Sequence, residues 1–366
     1  MKAVIAGGGT AGHVFPALAV AEELRDRGWD ITFVGSPRGQ EATLVPEAGF
    51  AFVPVAAEPA QTRWSPRAPW ALLLALRGAR SLRPIVAASS AVIGLGGFAS
   101  ASAVLAAGWT RCPLVLIEQN SVPGAVNRIA SRWASAVATT FAATSERLPR
   151  ARRIERTGNP IRREIAAVTT DRSALAAEGR VAFDLTSDRT TVLVTGGSQG
   201  ALRIDEAVAA ALPLLRERAD LQLLVATGRA HERVVSEVVD EGAALRVRSQ
   251  GFIERMDLAL ALADLVVARA GASVAELAAC GLPSVLVPYP YATEHHQDAN
   301  AREVAEAGGA VVIGDAELSG SRLARCILEL VDDRERRVRM GEAARAWARP
   351  DAAARVAGLV EEIARG

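Results

Sequence analysis

The sequence KAVIAGGGTAGHVFPALAVAEEL, residues 2–24, decides the fold. Lys2–Ala6 is mostly apolar and long enough for one buried strand, and Pro16–Leu24 carries apolar residues at helical spacing. The turn Gly7-Gly8-Gly9-Thr10-Ala11-Gly12 lies between them. Glycines at such a turn let backbone N–H groups approach a ligand at the positive end of the helix dipole. The stretch therefore predicts a β-α unit with an anion site, most often for phosphate, at its turn.

The same turn matches the dinucleotide pattern G-x-G-x-x-G, which is a weak signal by itself. A dinucleotide site also has a carboxylate at the end of the second strand, where it binds the ribose hydroxyls. The predicted second strand, Asp30–Val34, is followed by Gly35 and Ser36 instead. The pattern argues against NAD, and Arg38 leaves an NADP-dependent dehydrogenase open as an alternative.

Length and composition bound the class of protein. A chain of 366 residues, half of them hydrophobic, predicts two domains, each with its own core. The net charge of +1 implies no general attraction to nucleic acid. Lys2 is the only lysine, which excludes a Schiff-base lysine and a Walker P-loop.

The cysteines and the apolar runs indicate a cellular setting. The three cysteines lie far apart in sequence, which fits a reducing cytosol and neither a disulfide framework nor a zinc site. Met1-Lys2 runs straight into the first strand, so we expect no signal peptide. Since no apolar run approaches the ~18 residues that cross a bilayer, we expect a soluble protein or one peripheral to a membrane.

Strands and helices alternate along the rest of the chain, which predicts parallel sheets with right-handed crossovers. Polar and small residues at Thr169–Arg189 interrupt the pattern and predict an inter-domain segment. Thr191–Thr195 then begins a second series with its own glycine turn, Gly196–Gly200. Two such series predict two Rossmann-like α/β domains with a cleft between them. The expected strands are Lys2–Ala6, Asp30–Val34, Phe50–Val55, Val92–Leu95, Leu114–Ile117, Ala136–Thr140, Thr191–Thr195, Leu221–Thr227, Leu265–Ala268, Pro283–Val287 and Ala310–Ile313.

His13 is a candidate general base because it lies where the first helix begins, beside the glycine turn. The positive helix end disfavours imidazolium and keeps the ring neutral, as a base requires. The alternative is a histidine that only bonds local backbone.

Gly196-Gly197-Ser198-Gln199-Gly200 matches G-x-S-x-G, the nucleophile elbow of α/β-hydrolases. Asp264 or Glu276, followed by His295 or His296, would complete a triad in the right chain order. A hydrolase leaves the first domain unexplained, so we favour a second anion cradle at a helix start, with Ser198 and backbone N–H groups as donors.

The stretch from Asp264 to Asn300 is the densest in polar motifs. Loops after strands would bring Glu276, Gln297 and Asn300 to the carboxyl edge of the sheet, where carboxylate and amide groups suit a hydroxyl-rich ligand. A metal at Glu294, His295, His296 and Asp298 is a weaker alternative, because adjacent histidines point apart on a helix. No D-x-D motif occurs, so a leaving diphosphate would be held by helix ends and arginine.

Two further motifs are expected near a ligand in the first domain. Glu118-Gln119-Asn120 ends a predicted strand and provides ligand contacts or helix caps. Gly158-Asn159-Pro160-Ile161-Arg162 ends the domain and would bring Arg162 to the cleft.

Trp64–Arg83 combines aromatic, leucine and arginine residues, and no acidic residue occurs between Glu58 and Glu118. Arginines near an anionic leaflet and tryptophans at its interface favour reversible membrane docking. A core helix with solvated arginines is the alternative. The residues of the predicted patch are Trp64, Arg67, Trp70, Leu73, Arg77, Arg80 and Arg83.

Together these motifs resemble the MurG family, the UDP-N-acetylglucosamine transferases that convert lipid I into lipid II in peptidoglycan synthesis. The similarity covers nearly the whole chain, and the motifs are specific only jointly. They are GGGTAGHVFP (7–16), GLGGF (94–98), EQN (118–120), GNPIR (158–162), GGSQGA (196–201), GFI (251–253), RAGASVAELAACGLP (269–283) and HQDAN (296–300).

The resemblance implies an inverting, metal-independent glycosyltransferase of the GT-B type, with no cofactor. Residues 1–163 would form an acceptor and membrane-facing domain, residues 164–345 a UDP-sugar domain, and residues 346–366 a helix packing back on the first domain. The partners would be UDP-N-acetylglucosamine, undecaprenyl-linked lipid I and an anionic membrane surface, with the protein peripheral on the cytoplasmic face of the cell membrane. The other classes left open are a different UDP-sugar transferase with a lipid acceptor, a serine hydrolase, an NADP-dependent dehydrogenase and a non-enzymatic nucleotide-sugar sensor.

The resemblance also implies residue roles. His13 and Glu118 would be the catalytic candidates. The donor would contact Thr10, Ala11, Gly12, Asn120, Arg162, Gly197, Ser198, Gln199, Ile253, Ala272, Ser273, Glu276 and Gln297. The acceptor would contact Gly8, Gly9, Gly96, Gly97, Phe98 and Gln119.

The chain departs from the family pattern in three places. Ile117 stands where histidine is expected before EQN, and Phe98 where tyrosine is usual. The segment from Gly271 to Glu276 is one residue short, which changes the register of the expected donor loop.

Overall fold

The computed structural model describes residues 1–9, 11–58, 68–197 and 200–366. The chain divides into two compact units, Met1–Arg162 with Arg349–Gly366, and Arg163–Ala348. The described residues of each unit are organised around one parallel sheet, of seven strands in the first unit and six in the second. The predicted α/β class with two parallel sheets is confirmed.

The first unit has the strand order β3-β2-β1-β4-β5-β6-β7. Its strands are β1 (Lys2–Ala6), β2 (Asp30–Gly35), β3 (Ala51–Pro54), β4 (Ala91–Gly94), β5 (Leu114–Glu118), β6 (Ala136–Thr139) and β7 (Ile154–Arg156). Its first five helices are α1 (Ala11–Asp26), α2 (Glu41–Glu47), α3 (Ala68–Ala87), α4 (Gly97–Thr110) and α5 (Ala125–Ala130).

The second unit repeats the same winding with the order β10-β9-β8-β11-β12-β13. Its strands are β8 (Thr190–Thr195), β9 (Leu221–Ala226), β10 (Arg246–Gln250), β11 (Leu265–Ala268), β12 (Ser284–Leu286) and β13 (Ala310–Val312). Its helices are α6 (Arg163–Ala182), α7 (Leu202–Leu215), α8 (Glu232–Ser236), α9 (Met256–Leu262), α10 (Val274–Ala279), α11 (His296–Glu306), α12 (Gly320–Asp332) and α13 (Arg334–Trp347). The last helix, α14 (Ala352–Arg365), belongs to the first unit and packs against α1.

The central strands are apolar along their whole length because helices cover both faces of each sheet. In the first unit, alternate residues of β1 enter different cores: Ile5 packs with α1 and α14, and Val4 packs with α3 and α4. Parallel pairing brings the carboxyl ends of neighbouring strands to one edge. The loops after β1, β4 and β5 therefore lie side by side, as do those after β8, β9 and β11.

The polar segment Thr169–Arg189 is not the linker that its composition suggested. It begins inside α6, a helix kinked at Asp171 that packs against α9. Ala176 and Gly179 face inward, and a Cβ on Gly179 would overlap Leu262, so small residues serve close helix packing here. The sequence pattern also failed to predict β7 and β10. These strands have few fully buried residues, and both contain arginines.

No helix in the described ranges is long and apolar enough to cross a membrane.

Candidate active site

The glycine turn after β1 is closed by a carboxylate of the chain itself. The buried Glu41 side chain accepts hydrogen bonds from the backbone N–H of Gly9 (2.7 Å) and of Ser36 (2.8 Å). A Cβ on Gly8 would overlap this carboxylate, which is why the turn is made of glycine. The Gly9 N–H, which was expected to bind a phosphate, therefore donates to the Glu41 carboxylate instead.

Glu41 also provides the acidic group that the sequence pattern of the second strand lacked. Its carboxylate lies at the end of β2, which the sequence left without an acid, because α2 brings it back over six residues. Both carboxylate oxygens accept backbone N–H groups here rather than ribose hydroxyls. The dehydrogenase alternative loses support.

His13 lies in the first turn of α1, half-buried, among the glycines of two loops. A Cβ built on Gly97 would lie 4.0 Å from His13 Nε2 and 3.8 Å from the Gly8 carbonyl oxygen. Gly96 and Gly97 have φ of 78° and 69°, a region that favours glycine. The fold thus brings the candidate base together with the glycines expected to contact an acceptor.

Phe98 and Gly9 line a cavity of about 280 Å³ next to this cluster. A Cβ on Gly9 would lie 3.4 Å from the Phe98 ring, so the two residues are in contact. The cavity is also lined by Ser36, Arg38, Gly39, Ala57 and Glu58. Its wall therefore carries groups of both charges beside an aromatic ring.

Glu118 is buried and fully engaged with its own loop. Its Oε1 accepts the Asn120 N–H (3.1 Å), and its Oε2 accepts the Gly124 N–H (3.0 Å) and Asn127 Nδ2 (2.9 Å). Burial raises the pKa of Glu118, while these hydrogen bonds oppose the rise. The carboxylate shapes the segment 118–127.

Asn127 connects that segment to the glycine loop after β4, a role the sequence did not reveal. Its Nδ2 also donates to the Ile117 carbonyl (2.9 Å), and a Cβ on Gly96 would lie 3.0 Å from the same nitrogen. Gln119 is buried, whereas Asn120 is half-buried. Arg162 stacks its guanidinium 4.5 Å from the ring of Phe15, which places it beside α1.

The second glycine turn, between β8 and α7, packs against the loop after β9. Gly197 and Gly200 have φ of 84° and 76°, and a Cβ on Gly200 would overlap the Thr227 carbonyl oxygen. Ser198 and Gln199 lie outside the described residues, as do Thr10, Trp64 and Arg67. Ile253, after β10, is buried, and the exposed Phe252 beside it stacks 5.3 Å from the Arg229 guanidinium.

The loops after β11 and β12 are joined by Gln297. Its Oε1 accepts the Tyr289 N–H (3.0 Å), and a Cβ on Gly271 would lie 3.7 Å from its Nε2. Ala272, Ser273 and Glu276 are half-buried at this edge.

Asn300 was expected near the carboxyl edge of the sheet, and it lies there, beside the loop that follows β11. It is completely buried and donates through Nδ2 to the Ala270 carbonyl (3.0 Å). Buried Arg269 braces the same region through Pro288 (3.1 Å) and Asp315 (2.6 Å). Asn300 and Arg269 therefore stabilise the loops that follow β11 and β12 through buried hydrogen bonds.

Asp264 is excluded as the acidic member of the alternative hydrolase triad. This residue precedes β11, and its Oδ2 accepts the Thr191 N–H (2.8 Å) at the amino edge, opposite to the glycine turn. His296 Nδ1 lies 2.9 Å from the Thr293 carbonyl, and burial lowers its pKa. His295 pairs with Asp298 (3.6 Å), and no group of three metal-ligating side chains occurs among the described residues.

The predicted membrane helix presents an apolar face outward. In α3, Trp70 (48%), Leu72 (57%), Leu73 (38%) and Leu76 (38%) are exposed. The opposite face, with Gly78, Ala79, Leu82 and Val86, is buried. Arg77, Arg80 and Arg83 are exposed along the same helix. The core-helix alternative is wrong for the first half of α3.

Comparison with known proteins assigns both units to one family. Residues 3–139 match the glycosyltransferase family 28 N-terminal domain, and residues 191–356 match the family 28 C-terminal domain. A protein of Acidothermus cellulolyticus is 44% identical over 100% of this chain and 98% of its own. One of Halothermothrix orenii is 38% identical over 100% of both chains. Each is named UDP-N-acetylglucosamine–N-acetylmuramyl-(pentapeptide) pyrophosphoryl-undecaprenol N-acetylglucosamine transferase.

A solved structure agrees. The crystal structure of Acinetobacter baumannii MurG matches with a TM-score of 0.77 and 28% identity, over 99% of each chain.

Proposed function

The chain belongs to glycosyltransferase family 28, and within it to the MurG family. From this membership we propose that it transfers N-acetylglucosamine from UDP-N-acetylglucosamine to the 4-hydroxyl of the muramoyl sugar of undecaprenyl-linked lipid I. The product is lipid II for peptidoglycan synthesis, formed with inversion at the anomeric carbon. The observation that carries the proposal is the full-length match to relatives named for this transfer, at 38% and 44% identity.

His13 is proposed as the general base. In an inverting transfer the acceptor oxygen bonds to the anomeric carbon while the bond from that carbon to the UDP oxygen breaks. The hydroxyl proton goes to a base, and UDP leaves as the anion. His13 supports this role because it is half-buried beside Gly8 and Gly97, next to the cavity that Phe98 lines.

Glu118 is proposed as a positioning residue rather than as the base. Three donors already occupy its two oxygens, and the side chain is 4% exposed. These donors use three of the about four acceptor positions of the carboxylate, and burial limits the access of a substrate hydroxyl to the remaining one.

The donor is proposed to bind the second unit at the carboxyl edge of its sheet. The turn Gly196–Gly200 opens α7, a helix of 14 residues, whose positive end favours the departing diphosphate. Ser198 would donate to a phosphate, Ile253 would contact uracil, Glu276 ribose and Gln297 the sugar. The donor contacts Thr10, Ala11, Gly12, Asn120, Arg162, Gly197, Gln199, Ala272 and Ser273 remain predictions.

The acceptor is proposed to bind the first unit. The cavity beside Gly9 and Phe98 has room for about one sugar ring, and Arg38 and Glu58 on its wall suit the carboxylates and amines of a peptidyl muramoyl group. Gly8, Gly96, Gly97 and Gln119 complete the proposed acceptor set.

Reversible docking to the anionic cytoplasmic face of the membrane is proposed through α3. Four large apolar side chains and three arginines are exposed on it. Such a peripheral attachment suits an acceptor anchored in the bilayer.

The test is a transfer assay with radiolabelled UDP-N-acetylglucosamine and a short-chain lipid I analogue. We expect one labelled disaccharide product and no requirement for a divalent cation when EDTA is present. Transfer of label to water alone, or labelling of Ser198 by a fluorophosphonate, would contradict the proposal and favour a hydrolase.

A further inference from the structure

Asp205 is a buried carboxylate that the proposed reaction does not use. It lies in the first turn of α7, and its side chain is completely buried. Within the described part of the chain, neither of its carboxylate oxygens has a hydrogen-bond partner. Burial of a charged carboxylate without hydrogen-bond partners destabilises the folded state, so such a group is uncommon in a protein interior.

Asp205 lies directly beneath the second glycine turn. Ala201, one helical turn earlier, packs under that turn so closely that a Cβ on Gly196 would overlap the Ala201 backbone nitrogen. The Ala201 backbone N–H lies near the carboxylate and acts to lower the pKa of Asp205, although it does not reach the geometry of a hydrogen bond. The helix end that would receive a diphosphate therefore has a potential negative charge under it.

His231 lies against Asp205 from the neighbouring loop. Its Nδ1 is buried, has no hydrogen-bond partner among the described residues and lies 3.5 Å from Asp205 Oδ2. The His231 backbone N–H donates to the Gly228 carbonyl (3.0 Å), in the loop that packs against Gly200. The Asp205 side chain thus comes from α7 and the His231 side chain from the loop after β9.

The other charges near Asp205 are already paired or lie on its own helix. Arg269, from the end of β11, is paired with Asp315 at 2.6 Å. Arg203 lies between Glu206 (3.8 Å) and Asp315 (3.9 Å), and Glu206 is an exposed neighbour. Burial raises the pKa of Asp205 to about 7, against the opposing influence of the Ala201 backbone and Arg269.

We propose that Asp205 and His231 are a positioning pair that holds one shared proton when the UDP-sugar binds, and that loss of this proton weakens donor binding. The inference rests on the proposed function, which puts the donor diphosphate at this turn. With one proton the pair is neutral overall. Without it, a buried negative charge faces the diphosphate, and one unit charge within ~10 Å costs about tenfold in affinity.

The experiment is calorimetric titration of the full-length protein with UDP-N-acetylglucosamine from about pH 6 to 8.5. This ligand is a diphosphate diester, so its own charge stays constant over the range. We expect wild-type affinity to fall about tenfold toward the alkaline end. Asp205→Asn should bind with the same affinity at every pH.

His231→Gln separates charge from structure. Without the imidazole the remaining carboxyl loses its proton more readily, so the fall in affinity should move to lower pH. Glu206→Gln, the exposed neighbour on the same helix, is the matched control and should retain the wild-type profile. Melting curves of each variant show that the compared proteins are folded.

Two results would overturn the inference. A flat wild-type profile, or one that Asp205→Asn and His231→Gln leave unchanged, would remove the role of the pair while the proposed function stands. No binding of UDP-N-acetylglucosamine at any pH would overturn both the inference and the proposed function.

Discussion

The two glycine turns of this protein follow equivalent strands, β1 and β8, and each has a buried carboxylate beside it. The two carboxylates differ in their hydrogen bonding. In the first unit, Glu41 accepts two backbone N–H groups at 2.7 and 2.8 Å and closes the turn. In the second, Asp205 lies buried beneath the turn with neither oxygen hydrogen-bonded among the described residues, and His231 is 3.5 Å away.

The comparison teaches that a glycine turn before a helix does not by itself make an anion site. At the first turn the chain supplies its own anion, and the nearby features are His13 and a cavity of about 280 Å³. At the second turn no such cap occurs among the described residues. We therefore expect the first turn to govern the chemical step and the second to govern donor binding.

His13→Ala should have the largest effect, because it removes the proposed base beside the first turn. Loss of a general base costs about 10²–10⁴ in kcat. Affinity for UDP-N-acetylglucosamine should stay within a few fold, since the donor is proposed to bind the second unit. Steady-state kinetics and calorimetry measure the two effects, and a variant that keeps more than about a tenth of wild-type kcat would move the base elsewhere.

Asp205→Asn should stabilise the protein near neutral pH. The pKa of Asp205 is raised to about 7 by burial, well above the value of about 3.9 in an unfolded chain. The folded state then holds a proton that the unfolded state releases, so wild-type stability falls by up to about 4 kcal/mol as pH rises from about 4 to 7. The variant should lack this fall, as urea unfolding at several pH values would reveal.

Glu41→Gln should act in the opposite direction at the first turn. The amide keeps only one acceptor oxygen and presents an N–H₂ group to a backbone N–H, which costs about 2–4 kcal/mol of unfolding free energy. Glu47→Gln, exposed on the same helix, is the control and should change stability by less than about 0.5 kcal/mol. Equal stabilities of the two variants would show that Glu41 does not hold the turn.

Ser198→Ala should raise the donor KM by about tenfold, the loss of one hydrogen bond to a charged group, and leave kcat nearly unchanged. It should also weaken UDP binding. An unchanged KM would remove Ser198 from the proposed phosphate contacts.

The smallest effect on the reaction is expected from Arg77, Arg80 and Arg83 changed together to Glu. Each arginine near an anionic leaflet contributes about 1 kcal/mol, so sedimentation with anionic vesicles should be lost. Turnover on a soluble acceptor should survive, since none of the three arginines lines the cavity beside Gly9 and Phe98. Arg325, Arg334 and Arg339, exposed arginines of the second unit, changed to Glu provide the charge-matched control. Vesicle binding that both variants retain would refute docking through α3.

Most of the fold was predictable because strand and helix periodicity are local properties. Eleven of the strands fell within about two residues of their expected bounds. The two missed strands, β7 and β10, contain half-buried arginines, which interrupt the apolar pattern expected of a strand. The polar part of α6 was mistaken for a linker because only Ile165, Val168, Ala176 and Gly179 of this helix are buried.

The candidate site was less predictable because motif and role separate in three dimensions. The EQN motif, residues 118–120, stays a prediction of ligand contacts, whereas Glu118 and Asn127 form hydrogen bonds within their own loop. Asn300 lies in a motif and is buried under Ala270. No sequence motif marks Glu41, Asn127 or Asp205 as structurally important. The one clue is that Glu41 follows β2 by six residues, close enough for its carboxylate to fold back on the glycine turn.

The sequence by itself determined two parallel α/β units, a glycine turn at the head of each and membership of one transferase family. These properties depend on periodicity, on glycine spacing and on motifs that are specific jointly. Only the tertiary structure decided which turn is capped by the chain's own carboxylate, which polar residues are buried, and that the leucines of α3 face outward. Burial and hydrogen-bond partners come from segments distant in sequence, such as Glu41 with Gly9 and His231 with Asp205, and no local pattern encodes those distances.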